Sequence, residues 1–210
     1  MSDTEQNIFL ARIAEQVLMY DDMVDYLEQV IRVKSDTMSS SERNLIQTAF
    51  KNLIREKRNA MRKVLKMELN PKFYEYSLPL SKYRILLKDM LQSDCTRIIK
   101  LITKEVLPRH LDAPAQCFFN KLAADFFRYI AEFAEDADHE LAVTEAVTYY
   151  EKAVKNKEVG GGSPVKLGAV LNYSVFCFEM LKDHKKAVDV SLDGLDHGLE
   201  EINDLSNNDF

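Results

Sequence analysis

The sequence predicts an all-α protein, an antiparallel array of helical hairpins with about eight helices, and three observations carry that prediction. Of the 210 residues, 46% are hydrophobic, and they recur at three- and four-residue spacing, the period of a helix with one buried face. The six Gly and five Pro are few and fall mainly between the periodic stretches. No long alternating Val/Ile/Thr-rich run of the kind that forms strands is present. A chain of this length can bury a full core. One elongated domain over 1–210 is therefore expected, with 1–70 holding an N-terminal hairpin and a cationic helix and 71–210 the remaining helices.

A first helix is expected over 4–19, with Ile8, Phe9, Ile13, Val17 and Leu18 among its apolar positions. Tyr20-Asp21-Asp22 reads as a tight connection, and a second helix as running to about Val33. Ser39 and Glu42 have the spacing of a capping box and open a third helix. That helix ends by Leu69, because Pro71 disfavours helical backbone at Asn70. Pro79 marks the next start, and a long helix through Tyr83, Leu86, Leu91, Ile98 and Leu101 stops at Leu107-Pro108. Pro114 opens an aromatic-rich fifth helix. A sixth spans about 138–157. Gly160-Gly161-Gly162 reads as a flexible connector, since it lacks the strand and Lys of a phosphate-binding loop. Ser163-Pro164 fits an N-cap with a first-turn proline; helix seven then runs to Leu181 and helix eight from His184 to about Leu205.

Charge narrows the function. A net charge of −6 argues against general nucleic-acid affinity, which needs a broad positive face. No basic patch followed by an apolar core precedes Asn7, so no secretory signal is expected. No apolar run approaches the length of a membrane span. Cys95, Cys117 and Cys177 are odd in number and widely spaced, which fits reduced, buried thiols in a cytoplasmic protein, with the nucleus as a further setting. His184, Asp189, Asp193 and His197 invite a metal reading, but the spacing is poor and a solvated helix face fits better; neither a metal nor a cofactor is expected. Paired carboxylates and a nucleophile with its base are also lacking, so an enzyme is not expected.

The third helix is different. Lys51, Arg55, Arg58 and Arg62 follow one another at four, three and four residues and form one cationic stripe. Like charges at that spacing repel by a few tenths of a kcal/mol per pair, so folding alone does not favour lining them up. The stripe is either a solvated basic face or an anion site in which Arg forks and a Lys point charge hold a phosphate.

Here the sequence resembles a known family. Arg43-Asn44-Leu45, Ala49-Phe50-Lys51-Asn52 and Lys57-Arg58 resemble the third helix of 14-3-3 proteins. Asp125-Phe126-Phe127-Arg128-Tyr129-Ile130-Ala131-Glu132-Phe133-Ala134 resembles the fifth. Leu167-Gly168, Leu171-Asn172-Tyr173-Ser174-Val175-Phe176 and Glu179 resemble the seventh. Ala14-Glu15-Gln16 and Tyr20-Asp21-Asp22-Met23 resemble the first hairpin. The resemblance runs in order from residue 8 to 207. It implies a non-catalytic adaptor that grips phosphoserine or phosphothreonine through Lys51, Arg58, Arg128 and Tyr129. It also implies that Asn172 bonds the bound peptide's backbone, with Leu171, Val175, Glu179 and Lys121 along the same groove. Asp125 and Glu132, one turn either side of Arg128, form either a plain salt-bridge ladder from Lys121 or the carboxylates that orient Arg128.

The resemblance further implies a homodimer through Ile13, Val17, Met19, Asp22, Ala60, Val64, Tyr83, Leu86 and Met90. The family usually pairs Arg with Glu at the positions of Met19 and Met90, and Asp with Lys at those of Asp22 and Leu86. Only Asp22 keeps its charge, so an apolar interface is expected. Ala60 stands where some members carry a phosphorylated serine, and Arg55 where a small residue is usual. Family members continue into a ninth helix with leucines, an Asn and a Trp; the 210 residues contain no Trp and reach only Asp209-Phe210, so that helix is either lost or lies beyond these residues. The expected partners are Ser/Thr-phosphorylated proteins or peptides. A tetratricopeptide-like scaffold binding unphosphorylated peptides is the alternative, and the lack of a 34-residue period counts against it.

Overall fold

A computed structural model describes residues 2–34 and 38–208, with side chains up to Glu201. Among these residues every regular element is helical: eight α-helices, one 3-10 helix and one π-helical segment. Asp209 and Phe210, on which the expectation about a ninth helix turned, lie outside the described residues. The chain divides into two compact units, Met1–Leu101 and Ile102–Phe210.

The first unit contains α1 (Asp3–Gln16), α2 (Tyr20–Lys34), α3 (Ser40–Glu68), a 3-10 helix (Pro71–Tyr76) and α4 (Ser77–Lys100). α1 packs on α2, α2 on α3 and α3 on α4. α3 starts where its capping box places it. Ser39 Oγ accepts from the Glu42 N–H and the Glu42 carboxylate accepts from the Ser39 N–H at 2.8 Å. The buried face of α3 carries Leu45, Ile46, Ala49, Phe50, Leu53, Ile54 and Met61, the i, i+3/i+4 set of an amphipathic helix. Lys57 Nζ meets Asp94 Oδ2 at 2.7 Å and ties α3 to α4. Arg97 of α4 reaches Glu28 at 2.7 Å and Asp25 at 2.5 Å on α2.

Two sequence expectations are corrected here. α1 ends at Gln16, so Val17 and Leu18 are not helix-core positions; both are exposed. The Leu18 N–H reaches Glu15 O at 3.2 Å and the Met19 N–H reaches Ala14 O at 2.9 Å, a Schellman stop. Leu18 takes the left-handed position, φ 61°, where Gly is usual. Tyr20-Asp21-Asp22 is consequently the first turn of α2, its two Asp side chains at the positive end of the helix dipole. The second correction concerns α4, which begins at Ser77 after the 3-10 helix; Pro79 lies inside its first turn, where its missing N–H has no helical partner to lose.

The end of α4 also changes winding: Leu101–Val106 is π-helical. The second unit then holds α5 (Ala113–Ala131), α6 (Asp136–Val154), α7 (Pro164–Glu179) and α8 (His184–Asn208). α5 pairs with α6, α7 with α8, and α7 also contacts both α5 and α6. Tyr150, Tyr173, Phe176, Cys177, Ala124 and Ala146 form its core, with the Tyr150 and Tyr173 rings stacked at 5.4 Å. Asp112 caps α5 by accepting the Ala115 N–H at 2.6 Å. Ser163 sits at the N-cap of α7 with Pro164 following, as the sequence predicts, though without a side-chain cap bond. The glycine connector is a packed turn rather than a loose one. A Cβ on Gly161 would stand 2.5 Å from the carbonyl oxygen of His197 on α8, and the Gly162 N–H donates to Glu201 at 2.5 Å.

Candidate functional site

The cationic stripe occupies the face of α3 opposite its buried residues. Lys51 and Arg58 are half-buried, whereas Arg55 and Arg62 are exposed. Arg55 Nε lies 3.3 Å from Glu56, a surface pair of small net effect. The Cys95 thiol, buried in the same unit, is pushed well above its ordinary value by burial and by Asp94, with Arg58 and Lys57 pulling the other way. A thiol held neutral in this way is not a nucleophile. Cys117 is likewise pushed up to about 11 by burial, and all three cysteines are free thiols.

On α5, Arg128 and Tyr129 are half-buried. Arg128 Nη2 donates to Glu179 Oε2 of α7 at 2.9 Å. Burial works against the Arg128 charge, but Tyr150, Glu179 and Asp125 outweigh it and hold the guanidinium above its ordinary value. Tyr129 packs edge-on against Phe126, ring centroids 5.4 Å apart.

Behind Arg128 lies a buried polar hub. Asp125, 1% exposed, takes the Lys121 ammonium at 2.9 Å on one oxygen. Its other oxygen accepts from Tyr150 Oη and Asn172 Nδ2, each at 2.7 Å. One carboxylate thus joins α5, α6 and α7. Three donors around it offset the cost of burying a charge. Burial and the Asp125 charge push the Tyr150 phenol well above its ordinary value, so it remains a neutral donor.

The predicted residues fall out as follows. Asn172 is half-buried, with its amide nitrogen committed to Asp125. Lys121 is buried and turned to the same carboxylate. Leu171 is 62% exposed and Val175 half-buried, so periodicity alone would have misplaced Leu171 in the core. Of the dimer set, Ile13, Val17, Met19, Tyr83, Leu86 and Met90 are exposed, as is Asp22, while Ala60 is half-buried. Val64 is buried within its own unit. His197 Nδ1 contacts the Asp193 carbonyl at 2.7 Å within α8. Among the described residues no group of three or more His, Cys, Asp or Glu could hold a metal ion, and no helix is long and apolar enough to cross a membrane.

Sequence reasoning missed Tyr150. The signal available was its place in a stripe of buried alanines, Ala142, Ala146 and Ala153. A tyrosine there must bury its hydroxyl and find it a partner.

The first unit carries its basic residues on α3 and the second an Arg-Tyr step on α5, each within a set of packed helices, and these features define an all-helical class of protein. The family model described as 14-3-3 protein matches residues 10–210, and the chain belongs to the 14-3-3 family. It is similar to 14-3-3 protein 3 of Entamoeba histolytica, 29% identical over 98% of this chain and 88% of that protein. It is also similar to a 14-3-3-like protein of Oenothera elata subsp. hookeri, 28% identical over 100% of this chain and 83% of the relative. The 14-3-3-like protein C of Nicotiana tabacum is 28% identical over 98% of this chain and 82% of its own length. Family membership supports, in general terms, a non-catalytic adaptor that binds phosphorylated proteins and dimerises.

Proposed function

We propose that this chain docks Ser/Thr-phosphorylated peptides, with Lys51, Arg58, Arg128 and Tyr129 holding the phosphate. The observation that carries the reading is family membership over residues 10–210 in a chain that keeps all four of these residues. The chemistry supports it. A phosphate carries about −1.5 to −2 at pH 7, so two guanidinium forks, an ammonium and a phenolic donor suit it. Asn172 bonds the peptide backbone, Leu171 and Val175 offer apolar contact, and Glu179 gives a polar contact. Lys121 acts through Asp125, which holds Asn172.

The chain works as a homodimer through the exposed apolar residues Ile13, Val17, Met19, Tyr83, Leu86 and Met90, with Asp22, Ala60 and Val64 beside them. Its free, buried thiols favour a reducing compartment, the cytoplasm and by extension the nucleus. The test is a calorimetric titration with one peptide in phosphoserine and serine forms. Phosphorylation should tighten binding by about a hundredfold or more, the scale of two charge-assisted contacts. Equal affinity for the two forms would overturn the reading in favour of a scaffold for unmodified peptides.

A further inference from the structure

The second unit contains a cavity of about 520 Å³ between α6, α7 and α8, distinct from the residues assigned above to the phosphopeptide. Its size falls in the range of about 300–1,000 Å³ typical of small-molecule sites. Val154, Val170 and Val190 line it together with Tyr173, and each valine is only half-buried. Two close contacts border the space. α7 and α8 meet so closely at one end that a Cβ on Gly194 would stand 2.5 Å from a methyl of Val170. At another point a Cβ on Gly161 would stand 2.5 Å from the His197 carbonyl oxygen, so the connector packs closely on α8 there.

The polar lining is uneven. Lys166 Nζ is fixed by the carbonyl oxygens of Asn156 and Val159, each at 3.0 Å. An ammonium has three N–H donors, so a held Lys166 keeps one for a further acceptor. Lys186 Nζ lies 5.3 Å over the Tyr173 ring and 3.4 Å from Glu151. Lys155 and Lys157 also line the cavity. Against these four cations the lining sets Glu151, and it sets Asp189 and Asp193 on exposed positions of α8.

We propose that this cavity binds a small amphipathic monoanion, an apolar or aromatic body carrying one carboxylate or sulfonate-like group. The body lies on the valines and Tyr173, and the anionic group takes the Lys166 ammonium. Asp189 and Asp193 at the mouth disfavour polyanions, which separates this site from one for phosphate-rich ligands.

The probe is 8-anilinonaphthalene-1-sulfonate, titrated into the full chain by fluorescence and calorimetry. One saturable site per chain is expected. Lys166→Met, which removes the anion's partner, and Val190→Phe, which fills the space, should each weaken it about tenfold or more. Asp189→Lys, a change at an exposed position, should tighten it several-fold. Phosphopeptide affinity should be unchanged in Val190→Phe and Asp189→Lys, and phosphopeptide should not displace the dye. Octanoate should displace it. Absence of saturable binding overturns the proposal, and so does an affinity that Val190→Phe and Asp189→Lys leave unchanged, because the dye then sits elsewhere.

Discussion

Asn172 Nδ2 donates to Asp125 Oδ1 at 2.7 Å, from α7 to α5. The bond fixes the rotamer of the one α7 residue to which the proposed function gives a peptide-backbone contact. The same carboxylate oxygen receives Tyr150 at 2.7 Å from α6. The setting of Asn172 is therefore a property of three helices at once, and a ligand meets a side chain already ordered.

Asp125→Ala should destabilise the second unit by about 3–5 kcal/mol, because the buried Lys121 and Tyr150 and the half-buried Asn172 lose the carboxylate they share. Tyr150→Phe removes one donor and should cost about 1–2 kcal/mol. Urea denaturation followed by circular dichroism measures both. A loss below about 1 kcal/mol for Asp125→Ala would mean that the hub does not hold the three helices together.

Arg58→Ala and Arg128→Ala should each weaken phosphopeptide binding about tenfold or more, since a charged hydrogen bond contributes about 1.5–3 kcal/mol. Helical content should be unchanged. Unaltered affinity in either variant would show the phosphate site to be wrongly assigned. Glu179→Gln provides a finer test. The Glu179 carboxylate already engages Arg128 at 2.9 Å, so an incoming phosphate must share that guanidinium. Removing the competing charge should tighten binding a few-fold; weaker binding would instead mean that the polar contact of Glu179 with the peptide outweighs its competition for Arg128.

What the sequence made legible was local. The Ser39–Glu42 capping box spans only four residues, so α3 begins where its pattern says. The amphipathic stripe of α3 repeats within one helix and predicts its buried face. The end of α1 was illegible for the opposite reason: a Schellman stop normally announces itself with Gly, and here Leu18 takes the position. The Lys121–Asp125 pair was legible at its four-residue spacing, but the rest of the hub was not, because Tyr150 and Asn172 lie 25 and 47 residues from Asp125 and no spacing rule joins residues across helices. The basic stripe was visible as charge, but only the resemblance tied Lys51 and Arg58 to Arg128 and Tyr129.

Leu18 itself yields a prediction. A branched side chain in the left-handed region costs roughly 1–2 kcal/mol, and glycine relieves that strain at the price of a floppier unfolded chain. Leu18→Gly should therefore stabilise the first unit by up to about 1 kcal/mol, seen as a raised thermal midpoint. A lowered midpoint would mean that the Leu18 side chain contributes more by packing than it costs in strain.

Acid should loosen the start of α3. Burial tends to raise the Glu42 carboxyl, but Lys34 at 2.7 Å and the Ser39 N–H and hydroxyl outweigh it and hold the group below its ordinary 4.5. A carboxyl depressed by folding adds stability that is present above its unfolded value and lost as pH falls through the folded one. Stability should thus decline as pH falls below about 4.5. Glu42→Gln should be less stable at neutral pH and should show a shallower loss on acidification. Parallel pH profiles for the two proteins would rule out this source.

Association should proceed through apolar contact. The resemblance implies paired charges at the positions of Met19, Leu86 and Met90, and all three side chains are exposed within the first unit, as are Ile13, Val17 and Tyr83. Methionine packs adaptably against irregular surfaces, and apolar burial is insensitive to screening, whereas exposed ion pairs weaken as the Debye length shrinks to about 3 Å at 1 M salt. Sedimentation equilibrium at low and high salt should therefore give dimer dissociation constants that agree within a few-fold. Met19→Glu places a charge in that contact and should weaken the dimer by about 2 kcal/mol or more, the scale of a lost central contact. Phosphopeptide affinity per chain should be unaffected, since Met19 is not among the residues assigned to the peptide. A monomer at all concentrations, or a dimer that salt dissolves, would exclude an apolar interface and return the exposed residues of α1 and α4 to the ordinary surface.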